Sequence, residues 1–254
     1  MLVGGGFAVQ KISLLFHLTF VQNNRHMKIA LIGYGKMGKT IEQLILKQNQ
    51  HQIILKISRN NLHELTYENL KQADVAIEFT KPDSAISNVM LCLKASLPVV
   101  CGTTGWWNDL EKVKADFEKS DGAMVYASNF SVGVNLFFAI NNYAASLMKN
   151  QPQYAIAMSE IHHTEKKDAP SGTAISIQKI IEQHISSPTI LIESHRLENV
   201  VGTHQVLYKS GADEIELIHK AHSRSGFAEG AILAAEWIVA KKGVYEFKEV
   251  LGIK

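Results

Sequence analysis

"KIALIGYGKMGKTIEQLILKQ", residues 28–48, decides the fold. Residues 28–33 form a short, unbroken apolar run, the pattern of a strand buried on both faces, where alternation is lost because neither face meets water. The run breaks at a glycine loop, Gly33-Tyr34-Gly35-Lys36-Met37-Gly38, and resumes with Ile41, Leu44, Ile45 and Gln48 on one helical face. In a strand, G-x-G-x-x-G, helix unit the glycines let the backbone approach a pyrophosphate, and the helix start supplies free N–H groups with partial positive charge. All six loop residues are therefore candidate dinucleotide contacts. The competing reading is a tight strand–helix turn that needs small residues for packing alone.

The same alternation continues outward. "QIILKIS" (52–58), "ADVAIEFT" (73–80), "LPVVCGTTG" (97–105) and "MVYASNFS" (124–131) read as further strands, and residues 82–96 as a helix with Pro82 in its first turn. Strands alternating with helices imply βαβ units and a parallel sheet. The fold class is α/β: an N-terminal Rossmann-like parallel-sheet dinucleotide-binding domain, followed by a second, α+β domain for substrate and oligomerisation. The pattern changes near Asn129. Residues 132–148 read as a long helix, 153–163 alternate like a strand, and a helix runs from 173 to about 184. Strand-like pieces follow at "TILIESHR" (189–196), "HQVLYKS" (204–210) and "DEIELIHKAHS" (213–223), then a last helix over 226–242 that is expected to return to the first domain. The expected division is 27–129 plus 225–254 for the first domain and 130–224 for the second.

Charge and composition narrow the function. The net charge is +2, with acids and bases interspersed, so neither a nucleic-acid-binding stripe nor a polybasic membrane patch is present in the sequence. An anionic small molecule needs only a local basic cluster. Cys92 and Cys101 have the spacing of neither a zinc site nor a disulfide framework and read as buried free thiols, which points to a reducing compartment and a cytoplasmic location. The apolar run "KISLLFHLTFV" (11–21) is too short to span a bilayer and has no small-residue cleavage site before "QNNRH". Met27 reads as a natural beginning, and residues 1–26 are expected to be an extension outside the fold, with a targeting segment as the competing reading.

A Rossmann-type sheet reads the cofactor ribose at the end of its second strand. Here that place is "ISRNN" (57–61), without Asp or Glu. The Arg59 guanidinium suits a 2′-phosphate, which favours NADPH or use of both cofactors; the competing reading is a solvated loop charge. The segments 101–105 and 127–130 end later strands, at the edge where open parallel sheets bind ligands.

The densest chemistry lies in "SEIHHTEKKDAPSGTA" (159–174). Ser171 is a natural N-cap, and Gly172, Thr173 and the helix start behind it make a nest for a carboxylate. Lys166 is close enough to act as charge partner or proton donor, and a histidine such as His162 can deliver a proton near pH 7. On a strand, His162 and His163 point to opposite faces and do different jobs, unless the strand has already broken there. A metal site is not expected, because the histidines are contiguous and no cysteine or third histidine stands at ligand spacing.

The run "EIHHTEKKDAPSGTA" closely resembles the signature of the dihydrodipicolinate (4-hydroxy-tetrahydrodipicolinate) reductase family, E-x-H-H-x-x-K-x-D-x-P-S-G-T-A. The likeness extends, in the family's order, to "GYGKMGK", "VAIEFT", "VVCGTTGW", "ASNFSVGVN" and "IHKAHSRSGFAEGA". It implies NADH- or NADPH-dependent reduction of a small cyclic imine dicarboxylate with loss of water, in diaminopimelate and lysine biosynthesis, by a homotetramer. Carried over residue by residue, it makes His162 the catalytic acid and Lys166 a second proton donor. It places His163, Gly172, Thr173 and Arg224 on the substrate. Cofactor contacts fall on the glycine loop, on Phe79 and Thr80, on Gly102, Thr103 and Thr104, and on Ala127, Ser128, Asn129 and Phe130. The chain departs from the family in a glycine loop one residue shorter than G-x-x-G-R-M-G, in the missing acidic ribose reader and in its compact length. Two other readings fit the first domain alone. A semialdehyde reductase would want a nucleophilic cysteine, and a dinucleotide-sensing regulator a helix-turn-helix or a basic face.

Overall fold

A computed structural model describes residues 26–186 and 190–253, so all but His26 of the expected N-terminal extension lies outside the described residues. The first sheet is built from β1 (Lys28–Ile32), β2 (Gln52–Ile57), β3 (Val75–Glu78), β4 (Val99–Cys101) and β5 (Ala123–Tyr126), with a sixth strand, β10 (Gly243–Glu246), from the end of the chain. Its order is β10-β5-β4-β3-β1-β2, and every pair is parallel. The unbroken apolar run of β1 has the expected cause. Ile29 and Leu31 enter one core, Ala30 and Ile32 another, and all four are at most 1% exposed.

Helices cover both faces. On one side lie α1 (Lys36–Gln48), through Ile41 and Ile45, and α7 (Ser225–Ile238), through Ala228, Ala231, Ile232, Ala234, Ala235 and Ile238. Burying Ile232 and Ile238 alone contributes roughly 2 kcal/mol each. On the other side lie α3 (Pro82–Lys94) and α4 (Leu110–Lys119), through Ala85, Val89, Val113 and Phe117. A one-turn α2 (Tyr67–Leu70) precedes β3. The sequence reading has no counterpart for α4 or β10. It also runs the last helix to Lys242, whereas α7 stops at Ile238. A turn closed by Lys241 N–H on the Ile238 carbonyl, followed by Gly243 at φ +104°, redirects the chain into β10 beside β5. A helix cannot pass that left-handed glycine.

Between β5 and α7 the chain builds a second sheet. Its elements are α5 (Val132–Met148), β6 (Ala155–His162), α6 (Gly172–Glu182), β7 (Ile192–Arg196), β8 (Gly202–Lys209) and β9 (Glu214–Ala221). The order is β7-β6-β8-β9, parallel between β6 and β7 and antiparallel elsewhere. One face packs Met158, Val206 and Tyr208 against Phe137 and Ala145 of α5 and Ile177 and Ile181 of α6. The cross-strand row Ser159, Gln205, Ile218 lies on the other face, and Ile218 is 54% exposed there. A short α8 (Phe247–Val250) closes the chain against the first core. Among the described residues no helix is long and apolar enough to cross a membrane.

Candidate active site

The strands of the first sheet carry the predicted cofactor residues at their C-terminal ends. Gly33 has φ +99°, and a Cβ there would fall 2.0 Å from the Phe79 carbonyl oxygen; one on Gly38 would fall 2.4 Å from the Gly33 oxygen. Gly102 is forced small by the Phe79 ring, 2.1 Å from where its Cβ would lie. Gly35 is different, because nothing lies within 4 Å of its missing side chain. It is the N-cap of the 13-residue α1 and offers no side-chain hydrogen bond. The first N–H groups of that helix thus open onto free space, a cradle that fits a pyrophosphate. Tyr34 steadies the loop by donating its hydroxyl to Glu42, which also pairs with Lys56 at 3.1 Å. Met37 packs on the core beneath the loop, while Lys36 and Arg59 stay exposed.

The later loops divide their labour. Thr80 N–H donates to the buried Thr103 hydroxyl at 2.7 Å, so that side chain ties two loops together. Ala127 and Phe130 are buried, the latter against Phe79 and Phe247, which leaves only their backbone for a ligand. Thr104, Ser128 and Asn129 line a cleft of about 740 Å³ facing the second sheet.

The opposite wall of that cleft holds His162, His163, Lys166, Gly172, Thr173 and Arg224. Strand alternation separates the two histidines only if β6 continues through His163. β6 ends at His162, and both histidines line the same cleft. Asn129 Nδ2 reaches the Thr173 hydroxyl at 3.5 Å, joining the two walls. Ser171 caps α6 by accepting the Ala174 N–H at 3.2 Å, and nothing lies within 4 Å of the missing Gly172 side chain, so the helix start is accessible to an anion. Arg224 donates to His163 Nε2 at 3.4 Å. Lys166 Nζ is held by both oxygens of Asp168 at 2.9 Å, and that bond keeps the Asp168 carboxyl below its usual range.

Behind His162 lies a cluster the sequence reading did not assemble. Glu160 is fully buried and accepts from Ser171 N–H at 3.0 Å, from the Ser194 hydroxyl at 2.9 Å and from Arg196 Nη2 at 3.4 Å. His162 Nδ1 lies 3.5 Å and His204 Nε2 3.8 Å from the other carboxylate oxygen. Burial pushes the Glu160 carboxyl up, but donation from Ser171 and Ser194 outweighs it and leaves the group below its ordinary value. Burial lowers the His162 pKa, while Glu160 opposes the shift and Lys166 and Arg196 add to it. His204, buried beside His162, is pushed down to about 4.

His204 is also the third histidine missing from the spacing argument. β8 brings it beside Glu160 and His162, so that the three ligand atoms lie within 4.8 Å. As a metal site the cluster fits poorly. Both Glu160 oxygens already accept the Ser171 N–H, and the Arg196 cation, 3.4 Å from one of them, would repel a dication.

A parallel sheet with an open phosphate cradle, facing a mixed sheet that carries acids, bases and an anion nest, defines a Rossmann-type nicotinamide-dependent oxidoreductase. The comparisons are more specific. The family description "Dihydrodipicolinate reductase, N-terminus" matches residues 27–130, and "Dihydrodipicolinate reductase, C-terminus" matches residues 133–251. A 4-hydroxy-tetrahydrodipicolinate reductase of Christiangramia forsetii is 45% identical over 238 residues, 89% of this chain and 98% of that protein. Its counterpart from Methanoregula boonei is 36% identical over 72% of this chain and 77% of that protein. The dipicolinate-bound dihydrodipicolinate reductase of Paenisporosarcina sp. TG-14 shares the fold with a TM-score of 0.76 at 22% identity, over 89% of this chain and 99% of that one. The chain belongs to the dihydrodipicolinate reductase family.

Proposed function

We propose that the chain reduces 4-hydroxy-tetrahydrodipicolinate to tetrahydrodipicolinate, with loss of water, using NADPH or NADH. The observation that carries this reading is the single cleft in which an anion-binding helix start, His162 and Lys166 face the ligand edge of a dinucleotide sheet. The bound cofactor supplies a hydride. The glycine loop and the α1 start hold its pyrophosphate, Arg59 reaches towards its 2′ position, and Thr104, Ser128 and Asn129 border its reactive end. Gly172, Thr173 and the start of α6 hold one substrate carboxylate, with Lys166, His163 and Arg224 supplying positive charge and donors for the rest. His162 hands a proton to the ring carbon that gains electron density.

Residues 27–129 with 225–254 form the dinucleotide-binding unit of this reading, and 130–224 the substrate and oligomerisation unit. The exposed face around Ile218 supports pairing of copies into a homotetramer. The location is cytoplasmic, and the product feeds diaminopimelate and lysine biosynthesis. A semialdehyde reductase using a thiol nucleophile is disfavoured, since Cys92 and Cys101 are buried and burial drives both thiols well above their usual range.

The test is NADPH absorbance decay when the purified protein meets freshly condensed aspartate semialdehyde and pyruvate. Decay with the condensed imine but not with aspartate semialdehyde alone is expected; equal decay with both sinks the reading. His162→Gln should lose about 10²- to 10⁴-fold in kcat with a small change in KM. Light scattering should give four chains per particle.

A further inference from the structure

We propose that Glu160 is the positioning residue of this reduction, one buried carboxylate that sets both the charge of His162 and the place of the carboxylate-holding helix start. The inference deepens the function proposed above and rests on it. Glu160 has no exposed surface, and a carboxylate removed from water persists only where fixed donors replace its hydration. Those donors come from two elements. Ser171 N–H at the α6 cap touches both oxygens, at 3.0 and 3.2 Å, and Ser194 and Arg196 reach in from β7. Because Ser171 also caps α6, the carboxylate fixes where the Gly172–Thr173 nest stands relative to the proton donor on β6.

The ring of His162 lies beside the same group, although its Nδ1 makes no hydrogen bond there. Its Nδ1 faces the Glu160 carboxylate at 3.5 Å, and its Nε2 lies against Gly202, 3.2 Å from where a Cβ would sit. With the carboxylate beside it, Nδ1 is the favoured seat of the neutral ring's proton, and Nε2 carries the mobile one. In the proton-transfer step the Nε2–H bond breaks, a C–H bond forms on the substrate carbon, and the ring is left neutral. It is then reprotonated from water entering the cleft.

The charges around His162 are unequally placed. Arg196 on β7 and Lys166 in the following loop disfavour its protonated form, as does burial. Asp168 in that loop favours it but is exposed. His204 on β8, with His219 opposite it on β9, stays neutral and donates no competing charge. Glu160 is therefore the one buried anion among the groups facing His162. An opposite charge at such a distance moves a pKa by about one unit or more.

The experiment compares pH profiles of kcat/KM for wild type, Glu160→Gln and Glu160→Asp, with NADPH affinity followed by fluorescence. Glu160→Gln should move the basic limb about one pH unit or more towards acid and leave NADPH affinity unchanged. Glu160→Asp, which keeps the charge, should hold the limb at its wild-type position. A Gln variant with the wild-type limb, or an Asp variant that moves as Gln does, overturns the proposal. Should Glu160→Gln fail to fold, ring nitrogen NMR of the wild-type enzyme decides. A neutral His162 carrying its proton on Nδ1 supports the proposal, and one carrying it on Nε2 refutes it. His162→Gln separates the two layers. A fully active His162→Gln enzyme removes the proposed function, whereas an inactive one beside an unmoved Glu160→Gln profile removes only the role of Glu160.

Discussion

Gly202→Ala should make the protein no less stable and a worse enzyme. Gly202 sits in β8 without a left-handed backbone, so alanine is tolerated there, and alanine in a strand is favoured over glycine by roughly 0.5–1 kcal/mol. The added Cβ, however, would stand 3.2 Å from His162 Nε2 and 3.3 Å from its Cδ2. Ordinary contact for such atoms is about 3.5 Å or more, so the imidazole must give by a few tenths of an ångström. The ring is confined behind by Glu160 and by the His204 ring, whose centroid is 5.0 Å away, so it can only move within the cleft. Misplacing a reacting group by 1 Å costs about 10²-fold, which scales to about a fivefold loss for this displacement. Steady-state kinetics with the condensed imine should show that loss in kcat, with KM for NADPH unchanged and urea unfolding unchanged or shifted upward. Turnover within a margin of 1.5-fold of wild type would show that Gly202 makes no room for the imidazole.

Other perturbations have equally directional outcomes. Lys166→Ala should lower kcat by about 10²-fold and raise KM for the imine while sparing KM for NADPH; unchanged imine kinetics would confine Lys166 to its pairing with Asp168. Arg59→Ala should weaken NADPH by about tenfold and NADH hardly at all, and an unchanged ratio of the two KM values would exclude contact with the 2′-phosphate. His204 has a folded pKa of about 4 against an ordinary 6.5. The unfolded chain therefore binds the extra proton first. Stability is complete above pH 6.5 and falls as pH drops towards 4, a loss of about 2 kcal/mol at pH 5. Urea unfolding at pH 7.5 and pH 5 should show that loss in wild type and its absence in His204→Gln; equal losses in both would mean that His204 titrates normally.

The class of the fold was legible because its signals are local. Residues 28–38 combine an apolar strand with a glycine loop within one turn of chain, and residues 132–148 carry an uninterrupted helical pattern that α5 matches end to end. β10 left no such mark, since Gly243, Val244, Tyr245 and Glu246 are all half-buried at a sheet edge and show neither alternation nor an apolar run. α4 was equally faint, with only Val113 and Phe117 buried among charged neighbours. In the cleft, the stretch 159–174 announced its own chemistry. The groups behind it did not, because β-sheet pairing rather than chain spacing brings Arg196 and His204 to Glu160, 36 and 44 residues downstream. A periodicity of two along residues 158–162 was the available clue, as Met158, Glu160 and His162 alternate onto the buried face.

The late return of the chain through α7 and β10 has a consequence for synthesis on the ribosome. When residue 131 emerges, the parallel sheet lacks both its sixth strand and one of the two helices that shield one side, whereas every element of the second sheet is complete by residue 221. The module encoded in the middle thus reaches its finished form before the module encoded first, and nascent chains stalled with residue 224 just clear of the ribosome should resist protease in the second sheet while the first is digested.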